Sequence, residues 1–130
     1  MAAPQHEPGR FNWFECGSTD ADATKRFYVA LFGWTAVDQD MGGQMYTMMM
    51  MGEAAVAGLM AMPPEMAEIP PHWGAYITVD DCDSKANQIE KLGGRVLVPP
   101  TDIPTIGRFS ALSDPQGATV SIIKLFPRES

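Results

Sequence analysis

Thr19 to Gly33 reads TDADATKRFYVALFG, and Asp80 to Gly94 reads DDCDSKANQIEKLGG. One offset aligns the two stretches, matching Asp20 with Asp81, Asp22 with Asp83, Leu31 with Leu92 and Gly33 with Gly94. Each opens with an aspartate able to cap a helix, adds a second acid that suits the positive end of the helix dipole, and stops at glycine. Each also follows an alternating run that reads as a strand, Phe11 to Thr19 in one and Gly74 to Asp80 in the other. Identity between the copies is low, so the shared order of strand, acidic start, helix and glycine stop carries the reading: one unit, duplicated in tandem. The period is too long for a solenoid and two copies are too few for one. Two modules of this kind are expected to pair into a single domain.

Working outward, the first copy predicts a strand at about 11–18 and a helix from the Asp20 cap to Leu31 or Phe32. Ala23, Phe27, Ala30 and Leu31 form its expected apolar face. Strands follow at Trp34 to Asp38, Met45 to Met51 and Ala54 to Met62, with turns around Gly42 and Gly43 and at Gly52 and Glu53. The second copy predicts a helix at about Cys82 to Leu92, with Cys82, Ala86, Ile89 and Leu92 toward its sheet. Its later strands are Arg95 to Val98, Gly107 to Ser113 and Ala118 to Leu125, and Asp114 to Gly117 is a turn. The expected fold class is α+β, two tandem βαβββ modules. Residues 1–9 read as a flexible tail and 10–127 as one domain, with module one at about 10–62, a proline-rich linker at 63–71 and module two at about 72–126.

The 130 residues fit one domain, and 45% hydrophobic content suffices for a core. Sixteen acidic against nine basic residues give a net charge of −7, so nothing attracts a phosphate backbone and nucleic acid is not an expected partner. No stretch approaches the roughly 18 apolar residues of a spanning helix, and the N-terminus has no basic and apolar leader pattern. A cytoplasmic protein without membrane contact is expected. Cys16 and Cys82 are too few for a disulfide framework and read as reduced thiols, Cys16 as a core filler. There is no G-x-S-x-G elbow, phosphate loop or C-x-x-C pair.

The paired modules, the Thr19–Asp20 to Phe32–Gly33 stretch, Val79–Asp80–Asp81 and the Asp114–Pro115–Gln116–Gly117 turn together resemble the vicinal oxygen chelate superfamily, which contains glyoxalase I, bleomycin resistance proteins and extradiol dioxygenases. The resemblance spans Arg10 to Phe126. Within it, Val98 to Pro104 followed by Gly107, Arg108 and Phe109 resembles a glyoxalase-like branch, some of whose members are tandem pairs of such domains. The resemblance implies that each sheet curls around a cavity with its helix outside. It also implies a divalent metal held by His, Glu or Gln of the first and last strands, and it admits a homodimer, since family members often complete their cavities across one.

Carried over position by position, the implied ligands fall on Trp13, Gly74 and Ser121, with Gly58, Leu59 and Met60 at the fourth. None offers the expected donor. His72 lies two residues from one such position and keeps its strand face, but it follows Pro70 and Pro71, and a capping or surface role outweighs ligation. His6 lies in the tail.

Alternation puts Trp13, Glu15 and Gly17 on one face of the first strand and Phe14 and Cys16 on the other. Glu15 then looks into the cavity, where a carboxylate anchors a polar ligand group, accepts a proton or pairs with a cation such as Arg108. Structural pairing is the blander alternative. Met48 to Met51 put flexible thioethers on both faces of their strand, where core packing outweighs a pocket role. Trp34 and Trp73 read as packing or rim residues.

The candidate ligand-binding set is Trp13, Glu15, Met49, Met60, Tyr76, Arg108 and Ser121, with no metal ligand, no cofactor and, for an enzyme, Glu15 as the catalytic group. Two readings stand. The first is a protein of the glyoxalase and bleomycin resistance type that binds a small organic ligand without the usual chelate. The alternative is a glyoxalase-like lyase, isomerase or dioxygenase relative with an atypical Zn, Ni, Mn or Fe site or a metal-free base. An interaction module with a collapsed cavity is a third.

Overall fold

The computed structural model describes residues 7–40, 45–62, 70–103 and 106–127. His6, the turn at Gly42 and Gly43 and residues 63–69 of the linker lie outside the described residues. The fold is α+β, and the βαβββ order occurs twice. The first run is β1 (Phe11–Ser18), α1 (Ala21–Phe32), β2 (Thr35–Asp40), β3 (Met45–Met51) and β4 (Ala54–Ala61). The second is β5 (His72–Thr78), α2 (Cys82–Ile89) with a 3-10 turn at Glu90–Leu92, then β6 (Arg95–Ile103), β7 (Gly107–Ser113) and β8 (Thr119–Leu125).

Strand order duplicates with the sequence. Module one runs β2-β3-β4-β1 and module two β6-β7-β8-β5. In each, the first and last strands pair in parallel and the remaining neighbours are antiparallel. By compactness the chain divides into two units, Trp13–Gly74 and, in the other, Ala75 onward with the described residues before Trp13.

In module one the Asp20 carboxylate accepts the Ala23 N–H at 3.1 Å and caps α1. Gly33, at φ 73°, ends the helix in the left-handed region that glycine enters without a Cβ penalty. The Ser18 and Thr24 hydroxyls share a hydrogen bond of 2.7 Å, and Lys25 Nζ donates to Asp38 Oδ2 at 3.0 Å. These contacts place α1 over the sheet face that carries buried Cys16, Met49, Ala57 and Leu59.

The helix register differs from expectation. Phe27 and Leu31 are 59% and 58% exposed, Ala30 is exposed as well, and no residue of α1 is fully buried. Thr24 and Lys25 find polar partners on the sheet and share the half-buried side of the helix with Ala21, Ala23, Tyr28 and Val29, while Phe27, Leu31 and Phe32 turn outward. Amphipathicity alone pointed the wrong way.

In module two the Asp81 carboxylate accepts the Ser84 N–H at 3.0 Å. Cys82, Ala86 and Ile89 are buried as the pattern predicts, with Val79 and Ile122 in the same core. Leu92 is instead 75% exposed, because the last turn tightens to three residues per turn and carries it off the apolar face. The strand expected to end at Val98 continues through Pro99 and Pro100 to Ile103. It is the edge strand of its module and shifts register on either side of Val98, which is where a sheet accommodates residues lacking an N–H. The Asp114 carboxylate accepts the N–H groups of Gln116 and Ala118 and closes the predicted turn.

Candidate functional site

Strand pairing decides which side chains share a face, since partners in adjacent strands point the same way. Glu15 pairs with Gly58 and Gly17 with Met60 between β1 and β4, while Tyr46 pairs with Met60 and Met48 with Gly58 between β3 and β4. Trp13, Glu15, Gly17, Tyr46, Met48, Gly58 and Met60 therefore share the face of module one's sheet that turns away from α1.

Three of these side chains form a hydrogen-bonded chain. The Trp13 indole Nε1–H donates to Tyr46 Oη at 2.8 Å, and Tyr46 Oη donates to Glu15 Oε2 at 2.8 Å. An indole nitrogen only donates, so the direction of the chain is fixed and ends on a carboxylate acceptor. All three side chains are half-buried. Beside Glu15, burial and then the Glu15 charge push the Cys16 thiol pKa up, which keeps this core cysteine protonated.

Gly58 completes the arrangement. A Cβ there would overlap the Tyr46 hydroxyl and ring, so only glycine admits the phenol to this position. At the end of the same face, Met62 Cγ and His72 Cε1 lie 3.0 and 3.7 Å from where a Cβ on Gly17 would sit. His72 Nδ1 hydrogen-bonds the Pro70 carbonyl at 2.9 Å; a carbonyl only accepts, so Nδ1 carries the proton. Trp73 Nε1 donates to Tyr28 Oη at 3.1 Å, and Trp34 stacks on the same ring.

Trp13, Glu15 and Met60 are thus brought together in module one. Met49 is not: it is 2% exposed and lies in the core under α1, one residue out of phase with the Tyr46–Met48 face. In module two Tyr76 and Ser121 are register partners on one face, and Phe109 stands 6.3 Å from Tyr76 between ring centroids. Arg108 lies on the opposite face, where its Nε and Nη1 donate to Asp83 Oδ1 and Asp102 Oδ1 at 3.1 and 2.9 Å. Arg108, named as one possible cation partner for Glu15, donates to two aspartates, and Glu15 accepts from Tyr46. Tyr46, Gly58 and Phe109 were missed. Alternation sets Phe109 opposite Arg108, but which of the two shares a face with Tyr76 needed the β7–β8–β5 register, as Tyr46 needed the β3–β4–β1 register.

The positions where the superfamily carries metal ligands do not fit a divalent ion. Trp13 has a donor-only ring nitrogen engaged by Tyr46, Gly74 has no side chain, and a serine hydroxyl stands at 121. Among the described residues, no three His, Cys, Asp or Glu side chains converge.

Fold and sequence place the chain in a known class. Residues 10–122 match the Glyoxalase/Bleomycin resistance protein/Dioxygenase superfamily, and the chain belongs to it. It is 40% identical over 121 residues to "Putative glyoxylase CFP32" of Mycobacterium bovis, covering 91% of this chain and 46% of that protein. It is 34% identical to "Anthracycline biosynthesis protein DnrV" of Streptomyces peucetius, covering 88% of this chain and 46% of that protein. The chain thus spans about half the length of these curated relatives. Among solved structures, methylmalonyl-CoA epimerase of Mycobacterium tuberculosis superposes with a TM-score of 0.65 at 17% identity, covering 98% and 94% of the two chains; this likeness is one of fold.

Proposed function

We propose that the protein binds a small organic molecule on the Trp13–Glu15–Tyr46 face of module one without a metal chelate. The directed chain from Trp13 through Tyr46 to Glu15 carries this reading. It fixes a carboxylate among half-buried apolar side chains, Met48 and Met60 included, and a mostly apolar surface with a few placed polar groups is what holds small ligands. Thioethers adapt to varied ligand outlines. The kinship with a protein named for anthracycline biosynthesis supports a polycyclic ligand. In this reading the location is cytosolic and a homodimer is an admissible assembly; no helix among the described residues is long and apolar enough to cross a membrane.

A second reading is an isomerase or lyase. The Tyr46 hydroxyl directed onto Glu15 supplies an acid and base pair within hydrogen-bond reach, and the epimerase fold is compatible with such chemistry. Glu15 would take the proton with no metal in the step.

Fluorescence titration with a fluorescent anthracycline tests the binding reading. Saturable binding at one per chain is expected, weakened about tenfold or more in Glu15→Ala by loss of a charge-assisted hydrogen bond. Unchanged affinity in the variant would remove Glu15 from the site.

A further inference from the structure

We infer that the module one face selects ligands presenting a hydrogen-bond donor, a protonated amine or a hydroxyl, over anionic ones, and that Gly58 is the residue that sets this selectivity. The inference rests on the small-molecule reading above and names the ligand chemistry it requires.

The polarity follows from the chain of hydrogen bonds. Trp13 donates to Tyr46 and Tyr46 donates to Glu15, so both of these bonds run toward the carboxylate. A carboxylate offers about four lone-pair sites and no donor when ionised, so a ligand group meeting Glu15 must itself donate. A carboxylate or phosphate there would face like charge.

The distribution of basic residues agrees. Between Trp13 and Gly74 the only Lys or Arg residues are Lys25 and Arg26. Both sit on α1, and Lys25 is paired with Asp38. The face away from α1 therefore has no lysine or arginine from the Trp13–Gly74 unit to receive an anion, and the chain as a whole carries −7.

Gly58 enters through register. It is the β4 partner of Glu15 and lies directly under the Tyr46 phenol. Any side chain at 58 collides with that hydroxyl and lifts Tyr46 off the pair. Trp13 then loses its acceptor and Glu15 loses the donor that orients it. A positioning role of this kind is invisible in a list of polar groups, because glycine contributes only the space it leaves.

Two measurements test the inference. In ¹⁵N-labelled protein the Trp13 indole N–H resonance, assigned with Trp13→Phe, is expected to move upfield in both Gly58→Ala and Tyr46→Phe. An unmoved resonance in Tyr46→Phe overturns the chain of hydrogen bonds whether or not any ligand binds, and Tyr46→Phe serves if Gly58→Ala does not fold. The second measurement compares 1-aminomethylpyrene with 1-pyrenecarboxylate, which share one apolar body. The wild type should prefer the amine by about tenfold or more, the scale of one charge-assisted hydrogen bond, and Gly58→Ala should bring the two within about threefold. Equal affinities or a preference for the carboxylate in the wild type overturns the selectivity, and a preference that survives Gly58→Ala overturns the role of Gly58. If neither probe binds while the Trp13 resonance moves as expected, the small-molecule reading and the selectivity built on it fall together, and the hydrogen-bonded arrangement alone is retained.

Discussion

Glu15 has consequences at its neighbours. Its charge is one of two causes that raise the Cys16 thiol pKa, burial being the larger. Glu15→Gln should lower that pKa in a Cys82→Ser background, followed by thiolate absorbance against pH. No movement would mean that Glu15 is uncharged or turned away from Cys16. Asp38 shows the opposite effect: the Thr47 hydroxyl, then the Lys25 ammonium, hold its carboxyl below the usual carboxylate range. A depressed folded pKa stabilises the fold fully above the ordinary carboxylate range, and this contribution is lost as pH falls through the lower, folded value. Asp38→Asn should therefore flatten the fall of Tm on acidification, modestly, since the carboxylate is 43% exposed. Identical slopes in the two proteins would contradict the assignment. At this scale much was legible in the sequence. Period-two alternation placed Glu15 with Trp13 and opposite Cys16, and the structure agrees. The same rule separates Met49 from Met48 and Arg108 from Phe109, but strand register and packing were needed to put Met49 in the core and Arg108 toward α2. Tyr46 was not legible, because its partner lies two strands away and only register brings them together.

At the scale of elements, the caps, the order and most strand bounds follow from local chemistry. Asp20, Asp81, Gly33 and Asp114 each act through a backbone group within a few residues, so one sequence suffices to find them. The face of α1 did not follow, since a helix is oriented by what it meets. Here that is the Ser18 hydroxyl and the Asp38 carboxylate. Leu59→Ala, deep in module one, should cost about 2–5 kcal/mol in chemical denaturation. Phe27→Ala, on the outer face, should cost under about 1 kcal/mol. Reversal of that order would restore the apolar face read from the helical pattern.

Across the whole molecule, duplication explains the architecture and divergence explains the chemistry. Each module repeats the strand order and the parallel pairing of its ends, because each must cover a sheet face with one helix. The side chains on the other faces have separated. Module one carries Trp13, Glu15, Tyr46 and Met60, and module two carries Tyr76, Phe109 and Ser121. The fold could therefore be read from order alone, while the site depends on which residues the two copies no longer share. The curated relatives extend to about twice the matched length, and their activities belong to those longer proteins.

Binding without a chelate is the central claim, and the most direct test is anthracycline titration of tag-free protein before and after exhaustive dialysis against EDTA, with elemental analysis of both samples. We predict metal well below one atom per chain in each and the same affinity in both. Stoichiometric Zn, Ni, Mn or Fe together with loss of binding on chelation would contradict the account.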